Sequence, residues 1–178
     1  MTIESSQTSR CASEASATFG RVTDSTLFLF CNYGVIPFWF MLVAFPRSRW
    51  TARLVHSAAP AVLLVPIYVH CIFFDQPGPV GANFWTLEGV RNIFTTPHTV
   101  LGCWIHYLVF DLFVGAWMGR DAARRSIRPW MVAPCQLLTL MFGPMGLFSY
   151  VALRAALRRT LSFDEDLEGA VHGEARPA

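Results

Sequence analysis

The chain has 178 residues, of which 53% are hydrophobic and only 15% charged, and its mean hydropathy is +0.40. Soluble domains carry about 25% charged residues, so this composition favours a small polytopic membrane protein over a soluble enzyme. The net charge of +2 is too small to predict a nucleic-acid partner. All 14 basic residues are arginine.

Four apolar stretches follow a polar beginning, and each is about 20 residues long, the length that a helix needs to cross about 30 Å of hydrocarbon. Residues 1–24 are rich in Ser, Thr and Ala without an apolar signal segment, so we expect a disordered N-terminal tail. Residues 158–178 are acidic and are expected to form a disordered C-terminal tail. Residues 25–157 are expected to form one membrane domain, with spans at residues 25–45, 55–74, 97–119 and 131–153.

The segment between the second and third spans, residues 75–96, begins with a turn cluster of glycine and prolines. Apolar side chains then recur at roughly helical spacing from Phe84 to Phe94, which predicts a short helix lying on the membrane surface. This segment is also a candidate to cover the mouth of a cavity. The predicted fold is therefore all-α: a bundle of four transmembrane helices with a short interfacial helix between spans two and three.

Prolines are expected to bend three of the four spans, and the gaps beside bent helices can hold a ligand. The third span has only Pro97, at its start, and should be the straightest. The segment from Phe142 to Gly146 predicts a local break in the fourth span. The prolines concerned are Pro37, Pro60, Pro66, Pro134 and Pro144.

The third span contains a carboxylic acid, Asp111, and an imidazole, His106, within its apolar sequence. An ionised carboxylate in hydrocarbon costs several kcal/mol unless it is paired, neutralised or hydrated, so Asp111 is a candidate acid or base. The alternative is a structural hydrogen-bond hub, and His106 is open to the same two interpretations. The two residues are about 140° apart on an ideal helix, so each needs partners from other helices.

Depth along the spans suggests such partners. Asn32 lies near the level of His106, whereas Gln136 and Thr139 enter the membrane from the side nearer Asp111. Trp104 would suit a flat lipophilic ligand, although aromatic core packing explains it equally well. The histidines and Asp111 lack the i, i+3 or i+4 spacing of metal-binding helices, so no metal site is predicted.

Three segments together resemble the abscisic-acid-deficient-four-like family of small membrane proteins. They are WIHYLVFDLF at residues 104–113, LTLMFGPMG at residues 138–146 and VIPF at residues 35–38. The resemblance covers roughly residues 27–157, and the family motif carries His106, Asp111 and Pro144 onto this chain. Because that family is needed in plants to form neoxanthin from violaxanthin in plastid membranes, the resemblance implies a membrane protein that acts on a carotenoid or another isoprenoid.

Conversion of a carotenoid epoxide into an allene needs an acid that protonates the epoxide oxygen and a base that removes a vinylic proton. We assign Asp111 as the acid, His106 as the base or proton relay, and Tyr107 as a residue that orients Asp111, with no cofactor required. The candidate ligand-binding residues are Trp104, Asn32, Thr139, Gln136 and Pro144.

Two alternatives stay open. One is a non-enzymatic carotenoid-binding or assembly factor, and the other is a small proton-coupled carrier that uses Asp111 and would have to be a homo-oligomer. The expected partners are membrane lipid and the isoprenoid ligand. The all-arginine chain with its short N-terminal extension predicts a bacterial inner (plasma) membrane, crossed several times.

Overall fold

The computed structural model describes residues 24–73 and 78–160, and within these ranges the regular structure is helical, without strands. The all-α prediction is thus confirmed. Both predicted tails fall almost wholly outside the described residues. The helices are α1 (Asp24–Ala44), α2 (Arg49–Leu54), α3 (Ala59–Phe73), α4 (Leu87–Ile93), α5 (Pro97–Arg124), α6 (Pro129–Phe142) and α7 (Pro144–Arg158).

Three helical segments in the described chain are long and apolar enough to cross a membrane. They are Asp24–Ala44, Arg49–Phe73 and Pro97–Arg124, and they coincide with the first three predicted spans. The second segment combines α2 and α3. Buried Thr51 of α2 fixes its start by donating to the carbonyl oxygens of Phe45, at 2.6 Å, and Met41, at 3.2 Å.

The chain divides into two compact units between Trp117 and Met118. The described part of the first unit holds α1 to α4 and most of α5. Its core consists of side chains that α1, α3 and α5 turn toward one another: Cys31, Leu64, Cys71, Leu101 and Ile105.

Close contact between α1 and α5 depends on a glycine. A Cβ atom on Gly115 would lie 2.7 Å from the nearest ring carbon of Trp39, a residue that is only 3% exposed. Gly115 therefore makes room for an indole that any larger residue would displace.

The described part of the second unit contains the end of α5 together with α6 and α7, which pack against each other. The predicted break in the fourth span is confirmed, since α6 ends at Phe142 and Gly143 adopts a φ of 37°. A Cβ atom on Gly146 would overlap the side chain and backbone of Thr139. Residues seven apart would be separated by about 10 Å in a straight helix, so α7 turns away sharply from the axis of α6.

Consequently, residues 131–153 form two helices where the sequence predicts one span. The 14-residue α6 is apolar but shorter than a membrane crossing, so the fourth span is not confirmed. Two prolines predicted as interior residues instead lie at helix starts: Pro60 is the second residue of α3 and Pro144 the first of α7. There the missing N–H costs no helical hydrogen bond.

Candidate functional site

A cavity of about 560 Å³ lies in the first unit between α3, the loop before α4, and the first half of α5. Its volume is within the range of small-molecule sites, about 300–1,000 Å³. Aromatic and apolar side chains dominate its wall, and a few polar groups interrupt them. The lining residues used below are Tyr68 of α3, Asn83 of the loop, and Thr99, Cys103, His106 and Tyr107 of α5.

The loop that closes one side of this cavity is held by Asn83. The Oδ1 atom of Asn83 accepts hydrogen bonds from the backbone N–H groups of Trp85, at 3.0 Å, and Thr86, at 3.1 Å. The Thr86 hydroxyl in turn caps α4 by accepting from the N–H of Gly89 at 3.0 Å. The linker thus lines the cavity in a fixed conformation, and Asn83 also places a polar group in the wall.

His106 lies in the cavity wall among aromatic rings. Its imidazole stacks on Phe110 with a centroid separation of 4.4 Å, and the ring centroid of Tyr68 is 6.2 Å away. The imidazole has no hydrogen bond to another residue of the described ranges. Tyr107 lies beside it at 6.3 Å between ring centroids and is 58% exposed. Both residues can therefore offer polar atoms to a ligand.

Asp111 is half-buried on α5, one turn beyond Tyr107, and it is not among the described residues that line the cavity. Its carboxylate makes no hydrogen bond or ion pair with any part of the chain that the structure describes. The alternative interpretation of Asp111 as a structural hydrogen-bond hub therefore finds no bonding partner among the described residues. The structure does not place Asp111 and His106 in one cavity wall.

Two of the predicted ligand-binding residues contact each other away from this cavity. The indole N–H of Trp104 donates to Oδ1 of Asn32 at 3.1 Å, and Asn32 donates to the carbonyl oxygen of Phe28 at 2.8 Å. Trp104 lines a second cavity of about 420 Å³ between α1 and α5. At this end of α5, Nδ1 of His98 lies 2.9 Å from Oδ1 of Asp24.

The other three predicted ligand-binding residues belong to the second unit. Thr139 is fully buried, and its hydroxyl donates to the Cys135 carbonyl oxygen at 2.9 Å. Gln136 is 2% exposed. Pro144 is exposed at the start of α7. Of these three residues, Thr139 lies against Gly146 of α7 and so takes part in the packing of α6 on α7.

A buried ionic cluster in the second unit is the feature that sequence reasoning missed. Asp121 is 1% exposed and accepts hydrogen bonds from the hydroxyl of Tyr150 at 2.6 Å, from Arg125 at 3.0 Å and from Arg154 at 3.3 Å. Arg154 itself has no exposed surface. The available signals were the four-residue spacings from Asp121 to Arg125 and from Tyr150 to Arg154, which put each pair on one helix face.

In the described ranges, no three His, Cys, Asp or Glu side chains lie close enough together to bind one metal ion. The absence of a metal site in the whole protein stays a prediction.

The described chain is thus all-α, with three helical segments long and apolar enough to cross a membrane and an apolar cavity beside two of them. The family described as ABA DEFICIENT 4-like matches residues 26–150, and the chain belongs to this family. The expected resemblance is thereby confirmed. No solved structure matches the chain significantly.

Among curated relatives, Protein ABA DEFICIENT 4, chloroplastic, from Arabidopsis thaliana is 26% identical over 140 residues. The alignment covers 75% of this chain and 62% of the relative, so the chain matches less than two thirds of that protein's length. The relative's name places it in the chloroplast, and the comparisons do not support the predicted bacterial inner membrane.

Proposed function

We propose that the protein acts on a carotenoid or a similar isoprenoid inside the membrane and that the cavity beside α5 is its site. One observation carries this proposal: His106 and Tyr107, which belong to the motif behind the family resemblance, lie in the wall of an apolar, aromatic cavity of about 560 Å³. Such a wall suits a flat, conjugated hydrocarbon that carries a few oxygen atoms.

In the proposed membrane arrangement, residues 25–157 form one domain and α6 with α7 provides a broken fourth crossing. We place α4 and its preceding loop at the membrane interface. Phe84, Trp85 and Leu87 support this placement, because they are 84%, 92% and 87% exposed beside the cavity that the loop helps to line. Aromatic side chains are stable at that depth, and a lipophilic ligand could reach the cavity directly from the bilayer.

The chemistry we propose is an isomerisation of an epoxide. An O–H bond forms at the epoxide oxygen as one C–O bond breaks. The C–H bond of the neighbouring vinylic carbon breaks, and its electron pair completes an allene. No oxidant or reductant is consumed.

His106 is the proposed base, because its imidazole lies in the cavity wall without a hydrogen bond to the described chain. Asp111 is the proposed acid. Tyr107 lies one helical turn from Asp111 and, like His106, lines the cavity. The Tyr107 hydroxyl can therefore orient the carboxyl group of Asp111 or pass the proton of that group to the ligand.

The second candidate is a non-enzymatic carotenoid-binding or assembly factor. The position of Asp111 favours it, because the proposed acid is absent from the described cavity wall. In that case the cavity holds the pigment, and the pigment leaves chemically unchanged.

Occupancy of the cavity can be tested with Cys103→Phe, which places a ring in the cavity wall, and with Leu137→Phe, a matched control at an exposed position of α6. Each protein would be purified from a carotenoid-producing host, and the bound pigment would be quantified. We expect Cys103→Phe to lose most of the pigment and Leu137→Phe to retain it. Equal pigment in all three proteins would contradict the cavity as the site.

A further inference from the structure

In the described part of the second unit, residues 118–160, arginines far outnumber acidic residues, and the proposed function does not use this excess of positive charge. Residues 118–160 contain seven arginines but a single acidic residue, Asp121. Its carboxylate is buried and accepts from Tyr150, Arg125 and Arg154. Arg124 also lies 3.8 Å from this carboxylate, and in the described part of the unit no other carboxylate is present.

Two contacts bring the arginines from separate segments to one end of the unit. The guanidinium of Arg158, near the end of α7, donates to the carbonyl oxygen of Ser126 in the turn between α5 and α6, at 3.0 Å. One helical turn earlier, Arg154 reaches Asp121 at the end of α5. We call the surface that results the basic end; its exposed arginines are Arg124, Arg128, Arg158 and Arg159.

We propose that the basic end binds the phosphate groups of anionic phospholipids. Guanidinium groups pair with phosphate oxygens through two parallel hydrogen bonds, and clustered arginines beside a membrane helix attract anionic headgroups. Trp130 follows closely after Arg128 and is 67% exposed, and Leu157 precedes Arg158 and is 44% exposed. An indole and an aliphatic side chain beside the guanidinium groups match a headgroup region, where charge and hydrocarbon meet.

Native mass spectrometry of the full-length protein in detergent tests this proposal by titration with dioleoylphosphatidylglycerol and, separately, dioleoylphosphatidylcholine. We expect the wild type to bind the anionic lipid more tightly. The triple variant Arg124→Gln, Arg128→Gln, Arg159→Gln should lose affinity by about fivefold for each arginine replaced. This variant keeps Arg158 and its contact with Ser126. Lysine at the same three positions preserves the charge and should retain most of the preference.

Equal affinity of the wild type for the two lipids would overturn the proposal, as would an unchanged preference in the glutamine variant when circular dichroism shows it folded. A further outcome concerns the acidic residues Asp164, Glu165, Asp166 and Glu168. The preference for the anionic lipid could appear only after these residues are replaced by Asn and Gln in the full chain. That result would mean that the acidic segment, and not lipid, binds the basic end, and it would overturn the proposal.

Discussion

Two aspartates of the same helix behave in opposite ways. Asp111 stands out in the sequence because its neighbours are apolar, yet it has no partner in the described ranges. Asp121, flanked by arginines, looks like a residue of the headgroup region, yet it is 1% exposed. Its burial depends on Tyr150 and Arg154, about 30 positions away, and sequence periodicity carries no information on which distant side chains meet.

The buried cluster predicts a large stability effect. Asp121→Asn removes the negative charge that pairs with the guanidinium of Arg154. Because Arg154 has no exposed surface, we expect the free energy of unfolding to fall by about 3–5 kcal/mol. Denaturant titration in detergent, followed by circular dichroism, measures this change. The control is Glu88→Gln, which breaks the exposed 3.2 Å pair with Arg91 and should cost less than about 1 kcal/mol. Similar losses in the two variants would contradict the account of the cluster.

A second prediction concerns the close approach of α6 and α7. In Gly146→Ala the new methyl group meets the backbone of Thr139, which cannot move aside cheaply, so we expect a loss of about 1–3 kcal/mol. Gly34→Ala is the matched control, because no other part of the structure lies within 4 Å of its Cβ position. Thermal unfolding of both variants measures the two changes in stability. A neutral Gly146→Ala would mean that α7 lies farther from α6 than the structure has it.

At the level of elements, the first three spans follow from the sequence because the length of an apolar run is a local property. The break at Gly143 was also predictable, since glycine before proline interrupts a helix. The direction in which α7 leaves the break was not predictable. It depends on Thr139 and Gly146 meeting across the turn, and on Tyr150 reaching Asp121.

The cavity could be anticipated only in outline. Bent helices suggested that a gap exists, and the linker was a candidate cover. That His106 and Tyr107 line the cavity follows from which face of α5 is turned to α3, a property of tertiary packing. The same packing directs Trp104 toward Asn32 and away from this wall.

The loop that closes the cavity gives a third prediction. Asn83→Ala removes the acceptor of two backbone N–H groups. Each hydrogen bond is worth about 1 kcal/mol, so amide exchange at Trp85 and at Thr86 should each accelerate by about fivefold. Hydrogen–deuterium exchange with mass spectrometry provides the measurement. Thr95→Ala, which removes an exposed hydroxyl bonded to the Asn92 carbonyl, serves as the control and should leave residues 85 and 86 unaffected. Unchanged exchange in Asn83→Ala would show that other contacts hold the loop.

For the molecule as a whole, family membership and membrane-length helices are established more firmly than the chemistry. Composition predicted the membrane-length helices, and the three segments at residues 35–38, 104–113 and 138–146 together predicted the family. The reaction could not be derived in the same way, because catalysis depends on distances of a few ångströms between side chains and a ligand.

The most direct test of the proposed function is pigment profiling by liquid chromatography with mass detection. The host would accumulate epoxy and non-epoxy carotenoids and express the wild type, Asp111→Asn or Leu137→Phe. We predict that the wild type and Leu137→Phe form a new isomer of an epoxy carotenoid with unchanged mass, and that Asp111→Asn forms none while remaining folded. An unchanged pigment profile with well-folded wild-type protein would contradict an isomerase for the pigments tested and favour the binding or assembly role.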